Sequence, residues 1–420
     1  MVSGAGAAAV PDAPPSDRRS VGRPAVAGPP QGVLLAVAAS ATVYTIVQGL
    51  SYPLLALILE QSGAKELEIG VSAAMVPAGM MAAGAGAPRL VRLAGAGGVA
   101  AASFCVAAAC LLALKAVEQD PALWLPLRFL MGFALACIFT VTDAWVNELT
   151  PDESRGRVLG VYSAMLSVGF AIGPGILAVV GTRGWTPFVV GAAFTLAALL
   201  PLRLVRKSLP EPGGGEGGAS GWSFASVAPA LLVGVGVVAF CEQAAMSLLP
   251  VWAIAHDSSP REASIMLVVM SIGSIALSVA VGWLADRLPR RLLVAGCAAT
   301  TAGCAVAISF VETTEAALLW PVLFFFGGAY YAIYVLSLVR LGQHFSGQML
   351  VAGAAAFGAA WGLGGVVGPS LTGAVMSQIG PPGLPLTLAA LFCVIVVVNL
   401  LPAGKGRRKP AAGERAGDGA

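Results

Sequence analysis

Two ionisable residues stand deep inside long apolar stretches of this sequence, Glu242 and Arg128. Charges in such surroundings are costly and are ordinarily there for use. A carboxyl group withdrawn from water can gain and lose a proton, which is the physical requirement of a proton carrier. Arg128 reads as a structural charge partner or as a solute contact, and Glu242 and Arg128 are the proton-coupling candidates. Around them the sequence places hydrogen-bonding groups at helical spacing. Tyr44, Gln48 and Tyr52 recur every four residues and so share one helical stripe. Tyr330 and Tyr334 repeat that spacing far downstream, with Tyr331 beside them. Tyr44, Gln48, Tyr330 and Tyr334 are the substrate-binding candidates, against the plainer reading of cavity wall.

Other chemistries find no residues. The seven cysteines are odd in number, lack metal-ligand spacing, and read as small buried thiols. His256 and His344 stand singly, so no metal site is expected. No cluster of acids and histidines suggests a catalytic site, and no phosphate-binding Gly-x-x-x-x-Gly-Lys-Ser/Thr loop occurs. Neither an enzyme, a cofactor nor a nucleic-acid partner is therefore expected.

The elements that must position these residues are membrane helices. Hydrophobic residues make up 57% of the chain and charged ones 11%, where soluble domains carry about 25% charge. Mean hydropathy is +0.85. A bilayer core needs about 20 helical residues, and twelve apolar segments of that order can be marked. They span 33–59, 68–88, 94–115, 121–145, 157–181, 185–205, 227–254, 263–285, 292–311, 316–341, 349–377 and 383–402. The expected fold class is an all-α membrane protein of twelve transmembrane helices in two six-helix pseudo-symmetric halves. Residues 1–30 read as a disordered cytoplasmic tail, 31–205 and 227–402 as the halves, and 403–420 as a basic cytoplasmic tail. Residues 206–226, with the run Gly213-Gly214-Gly215-Glu216-Gly217-Gly218, read as a flexible linker. With both termini inside, 19 of the 24 Lys and Arg fall in cytoplasmic segments, as the positive-inside rule requires.

The halves echo one another. Pro53 matches Pro250, Trp124 matches Trp320 and Gly132 matches Gly328, at offsets of 196 or 197. Gly169, Gly173 and Pro174 match Gly364, Gly368 and Pro369 at 195. In this register Arg128 falls opposite Phe324 and Glu242 falls near Thr45 and Ile46, so neither charge has a counterpart. The paired glycines, one turn apart, form a helix-packing motif. Parallel six-helix repeats are characteristic of one large class of transporters.

Three motifs resemble the major facilitator superfamily, over residues 33–402. Gly282-Trp283-Leu284-Ala285-Asp286-Arg287-Leu288-Pro289-Arg290-Arg291 is similar to its loop signature, here between the eighth and ninth segments. Arg128-Phe129-Leu130-Met131-Gly132 resembles its Arg-x-x-x-Gly motif in the fourth. Gly169-Phe170-Ala171-Ile172-Gly173-Pro174-Gly175 resembles the fifth-segment motif of exporters that exchange substrate for protons. Asp143-Ala144-Trp145-Val146, followed by Arg155-Gly156-Arg157, is similar to a bacterial permease branch with an acidic-x-Trp stretch ending the fourth helix. The loop between the second and third segments departs from the signature: Gly86-Ala87-Pro88-Arg89-Leu90-Val91-Arg92 lacks its Asp.

The resemblance implies a cavity lined by the first, fourth, seventh and tenth helices, which are those carrying the candidates. It implies a gate in which Gly282, Asp286, Arg287 and Arg290 work with Asp143, Arg155 and Arg157, and the arginines pair with carboxylates such as Asp143 or Glu148. It further implies a monomeric secondary transporter of the cytoplasmic (inner) membrane, working by alternating access. Its expected partners are a small organic substrate, protons and the lipid bilayer. Proton-coupled efflux by antiport is the leading expectation. Uptake of a metabolite is the alternative, and a non-transporting sensor or scaffold of the same fold ranks below both.

Overall fold

The structure, a computed structural model, describes residues 31–151, 154–210, 221–285, 287–310, 316–345 and 347–400. The glycine run of the linker, both tails and Asp286 lie outside these residues. All regular elements described are helical. They are α1 (Gln31–Gln61), α2 (Glu66–Ala116), α3 (Pro121–Leu149), α4 (Arg155–Val180), α5 (Thr186–Ala197), α6 (Leu199–Val205), α7 (Gly221–Val227), α8 (Pro229–Ile254), α9 (Pro260–Ala285), α10 (Arg290–Ile308), α11 (Ala316–His344), α12 (Gly347–Ile379) and α13 (Gly383–Leu400). Helices satisfy every backbone group within the segment, as a solvent without water demands.

Eleven of the described helical stretches are long and apolar enough to cross a bilayer. One of them is double. At about 1.5 Å per residue, the 51 residues of α2 would measure about 76 Å, more than two bilayer cores. Gly95 resolves the mismatch. Its φ of 71° and ψ of 156° break the helix, a conformation glycine reaches without steric cost. The two arms account for two crossings and bring the total to twelve. The loop expected between the second and third segments is therefore helix on both sides of one glycine, and Arg89, Leu90 and Arg92 are helical residues. The sixth crossing is interrupted too, between α5 and α6. There the Ala198 carbonyl accepts a hydrogen bond from the buried Ser40 hydroxyl of α1 at 2.8 Å.

Twelve crossings put the start of α1 and the end of α13 on one side, here called the entry face. The other, the far face, carries loops 62–65, 117–120, 181–185 and 255–259. Two parts of the expected linker are ordered helix: a 3-10 turn at Arg206–Ser208 and α7. Phe224 of α7 is fully buried against Phe345 and Phe357, with ring centroids 4.9 and 6.3 Å away. The cysteines are not uniformly buried, since Cys105 and Cys393 lie exposed on helix faces.

Glycine contacts give the internal repeat its true register. A side chain on Gly79 would meet the Phe129 carbonyl, and one on Gly132 the Val76 carbonyl, so α2 and α3 interlock reciprocally. In the second half Gly273 faces the Phe324 carbonyl and Gly327 the Met270 carbonyl, locking α9 to α11 in the same way. The partner of Gly132 is thus Gly327, not Gly328. Gly169 and Gly173 seat α4 on the Thr42 and Ile46 carbonyls of α1. Gly364 and Gly368 seat α12 on Gly236 and Phe240 of α8. Thr42 to Gly236 and Ile46 to Phe240 are both steps of 194. The longer offset expected for α1 and α8 follows Pro53 and Pro250, whose rings do not mark equivalent turns.

The halves meet along two seams. At one, α2 lies against α12, where Gly70 faces the Pro369 carbonyl and Gly373 the Glu66 carbonyl. The Leu67 N–H donates to Ser377 Oγ there at 2.8 Å. At the other, α4 lies against α9. Beside this contact runs a groove of about 620 Å³ lined by Val168, Ile172, Val179, Val268, Ile272 and Ile275, among other apolar residues.

Candidate functional site

The corrected register changes the meaning of Glu242. A step of 194 back from 242 is 48, so Glu242 of α8 occupies the place that Gln48 holds on α1. Arg128, at the α3–α11 step of 195, falls opposite Leu323 rather than Phe324. The first half thus carries an amide where the second carries its isosteric carboxylate. It carries a guanidinium where the second carries leucine.

Both positions sit at the boundary of a sealed region. Every residue from Tyr44 to Leu59 on α1 and from Val238 to Ala253 on α8 is buried, whereas exposed positions punctuate 32–43 and 229–237. The molecule is closed toward its far face. Gln48 and Glu242 retain 8% and 7% exposure. Further toward the far face, Tyr52, Arg128 and Ser247 retain 1%, 0% and 0%.

The polar atoms of this layer are poorly satisfied. Arg128 donates from one terminal nitrogen to Ser72 Oγ on α2 at 3.0 Å. Its Nε and its other terminal nitrogen have no partner, and neither do the Tyr52 hydroxyl, Glu242 Oε2, Gln243 Oε1 and Ser247 Oγ. The Gln48 side chain lies beside the Tyr52 hydroxyl, out of hydrogen-bond geometry, with its amide 3.9 Å from Met80 Sδ. Tyr52 stands within electrostatic reach of both Arg128 and Glu242. Arg128 and Glu242 make no ion pair with each other; the one carboxylate pair seen among the described residues is Lys115–Glu118. Buried polar atoms without partners are uncommon in proteins, and each asks for an explanation.

On the opposite wall, Tyr330, Tyr331 and Tyr334 of α11 all lie within electrostatic reach of Glu242. Tyr331 packs against both neighbours, at 6.3 and 5.6 Å between centroids, and Tyr334 meets Trp361 of α12 edge-on at 5.0 Å. Tyr44 faces Phe139, 6.2 Å away, and reaches Tyr162 of α4 electrostatically. Tyr330 and Tyr334 are therefore brought near Glu242, with Gln48 and Arg128 joined to it through Tyr52. Sequence reasoning missed Ser72, Gln243, Ser247 and Trp361. Gln243 had a signal, as the neighbour of a deep acid; the others are unremarkable residues until the helices are assembled.

The expected gate is arranged differently. Arg287 lies over the Trp283 ring, 3.4 Å from its centroid, and donates to the Trp283 carbonyl. Arg290 bonds to Gln343 of α11, and Asp143 accepts from Asn147 at 3.3 Å. Neither arginine pairs with Asp143 or Glu148, because the α9–α10 turn directs both back onto their own half. Gly282 has open space around its Cα. Arg155 and Arg157 are exposed in the first turn of α4. Trp145 is buried, and its indole N–H donates to the Pro210 carbonyl at 2.9 Å, tying the end of α3 to the start of the linker.

The sequence pattern of the Major Facilitator Superfamily matches residues 36–252 and 231–418, which cover both halves. The chain belongs to this superfamily. Its relatives include the uncharacterized MFS-type transporter YfkF of Bacillus subtilis (strain 168), 26% identical over 66% of this chain and 73% of that protein. The fold is shared with the nucleoside transporter NupG, at a TM-score of 0.72 and 13% identity over 87% of this chain and 98% of that one. It is shared with a D-xylose–proton symporter too, at 0.67 and 13% over 88% and 97%. This superfamily member is a multi-pass integral membrane transporter and not an enzyme.

Proposed function

We propose that the chain is a secondary active transporter that exports a small organic compound in exchange for protons by alternating access, with Glu242 as the proton carrier. The observation that carries this reading is the Glu242–Gln48 pair. At equivalent depth in equivalent helices, one half presents a titratable group and the other its non-titratable isostere. The Glu242 oxygen without a partner is free to exchange a proton as access alternates. Tyr330, Tyr334 and Gln48 contact the solute, with Arg128 on the far side of Tyr52.

Export draws on the resemblance of Gly169–Gly175 to the exporter motif. Uptake is the second reading, favoured by the fold neighbour described as a proton symporter. The excess of Lys and Arg on the entry face supports a cytoplasmic entry face, with both termini on the inside of the cytoplasmic membrane. The transporter works as a monomer, since both faces of its solute path come from one chain.

Proton movement in proteoliposomes tests the reading. Wild-type protein is expected to carry solute-dependent proton flux across a panel of organic solutes, and Glu242→Gln to lose it while still folding. Equal flux in both proteins removes Glu242 from the mechanism.

A further inference from the structure

The least satisfied group in the sealed layer is Arg128. Its guanidinium is fully buried and has one protein partner, the Ser72 hydroxyl. Nε and one terminal nitrogen point to no acceptor, and no carboxylate among the described residues pairs with it. A buried charge without a counter-charge costs several kcal/mol, far more than one hydroxyl returns. A purely structural tie between α2 and α3 needs no guanidinium, because the equivalent contact between α9 and α11 is made with Leu323 at that place and the same reciprocal glycines.

The surroundings are rich in donors. One turn before Arg128 on the same face of α3, the indole N–H of Trp124 is buried and has no partner. The Tyr52 hydroxyl, within electrostatic reach of Arg128, is buried and unpartnered too. Arg128 Nε, its terminal nitrogen, Trp124 Nε1 and the Tyr52 hydroxyl make four donors that the protein leaves unused. Two free N–H groups on one planar fork match the two oxygens of a carboxylate.

From this geometry we infer that Arg128 is an anion subsite that receives the carboxylate of the transported compound. The inference rests on the transporter reading above and narrows its substrate class to organic monocarboxylates. The layer is shut in this structure, and the carboxylate of a solute loaded from the entry face reaches it as the far face begins to open. Ser72 orients the fork. Tyr52, within electrostatic reach of both Arg128 and Glu242, joins the subsite to the proton carrier.

Binding to detergent-purified protein tests the subsite without any transport assay. Melting temperature is followed against a panel of benzoate, phenylacetate and octanoate and their uncharged amides. Carboxylates are expected to raise the melting temperature of wild type and of Glu242→Gln, and the amides to leave it unchanged. Arg128→Gln is expected to bind carboxylates on the order of 10- to 100-fold more weakly, the worth of a hydrogen-bonded charge, with Arg128→Lys in between. The unliganded melting temperature separates this from a structural role. Removing an unpaired buried charge leaves it unchanged or raises it; removing a structural ion pair lowers it. A lower unliganded melting temperature in both Arg128 variants overturns the proposal. So does a panel in which no carboxylate stabilises wild type more than its amide. Carboxylate protection without solute-driven proton flux would keep the subsite and refute proton coupling, so the two proposals fail separately.

Discussion

The halves of this transporter share a skeleton and differ in chemistry. Gly79 and Gly132 lock α2 to α3 through backbone contacts that Gly273 and Gly327 reproduce between α9 and α11. Gly169 and Gly173 seat α4 on α1 as Gly364 and Gly368 seat α12 on α8. On these matched frames the polar positions diverge: Gln48 against Glu242, Arg128 against Leu323. Lipid gives helices little hydrophobic reason to associate, so close packing of small residues must hold them. That need is the same in both halves and keeps their glycines in register. A site for a single ligand needs each of its groups once and not twice, and there the halves are free to differ.

The largest expected effect comes from breaking what the halves share. Gly132→Val and Gly327→Val each drive a branched side chain into a carbonyl of the facing helix. Overpacking of this kind costs about 1–3 kcal/mol where neighbours can yield, and backbone yields least. Both variants are expected to fall sharply in the yield of monodisperse protein, and by similar amounts. Gly328→Ala, next door, presses a single methyl group onto Leu277, its Cβ included at 2.6 Å, and is expected to be costly too, though less so than a branched side chain against backbone. Size-exclusion profiles in detergent check the series. A severe Gly132 variant beside a tolerated Gly327 variant would break the equivalence.

How much of this was legible in the sequence follows from the same division. Composition and segment length were enough for twelve crossings, because bilayer thickness leaves few alternatives. The Gly-x-x-x-Gly-Pro runs were legible as a repeat because two glycines and a proline at fixed spacing survive in both halves. The register of α1 against α8 was not, because Pro53 and Pro250 suggested a step of 197 where the packing keeps 194. That error of one helical turn hid the pairing of Glu242 with Gln48. Gly95 was invisible among 53 glycines, since only its backbone angles distinguish it. The gate partners could not be read either: Arg287 chose the ring four residues behind it over a distant carboxylate, and that depends on the direction of a short turn.

A smaller effect is expected from exchanging what differs. If equivalent positions face one path, the double variant Gln48→Glu with Glu242→Gln moves the carboxylate across the pseudo-symmetry axis at nearly constant volume. Glu242→Gln alone is expected to abolish solute-driven proton flux, and the double variant to regain a measurable part of it. Recovery is incomplete because Tyr330, Tyr331 and Tyr334 surround Glu242, whereas Gln48 sits beside Tyr52 and Met80. Flux as low in the double variant as in the single one would mean that the second half's aromatic surroundings, and not depth alone, make the carrier.

The smallest effect concerns the two seams, which the pseudo-symmetry relates but the structure packs unequally. Along α2 and α12 the backbones touch, and Gly373→Ala would press its methyl group into the Glu66 carbonyl. Along α4 and α9 the helices touch through side chains beside the apolar groove, and a methyl group on Gly175 would reach Val268 Cγ2 at 3.8 Å, an ordinary contact. Gly373→Ala is therefore expected to destabilise by about 1–3 kcal/mol. Gly175→Ala is expected to lie between no change and a gain of about 1 kcal/mol, the helix preference of alanine over glycine. Melting curves of the two variants in the same detergent measure the contrast. If Gly175→Ala proves as costly as Gly373→Ala, then α4 and α9 close on one another during part of the transport cycle, and the seams are equal over the cycle though unequal in this conformation.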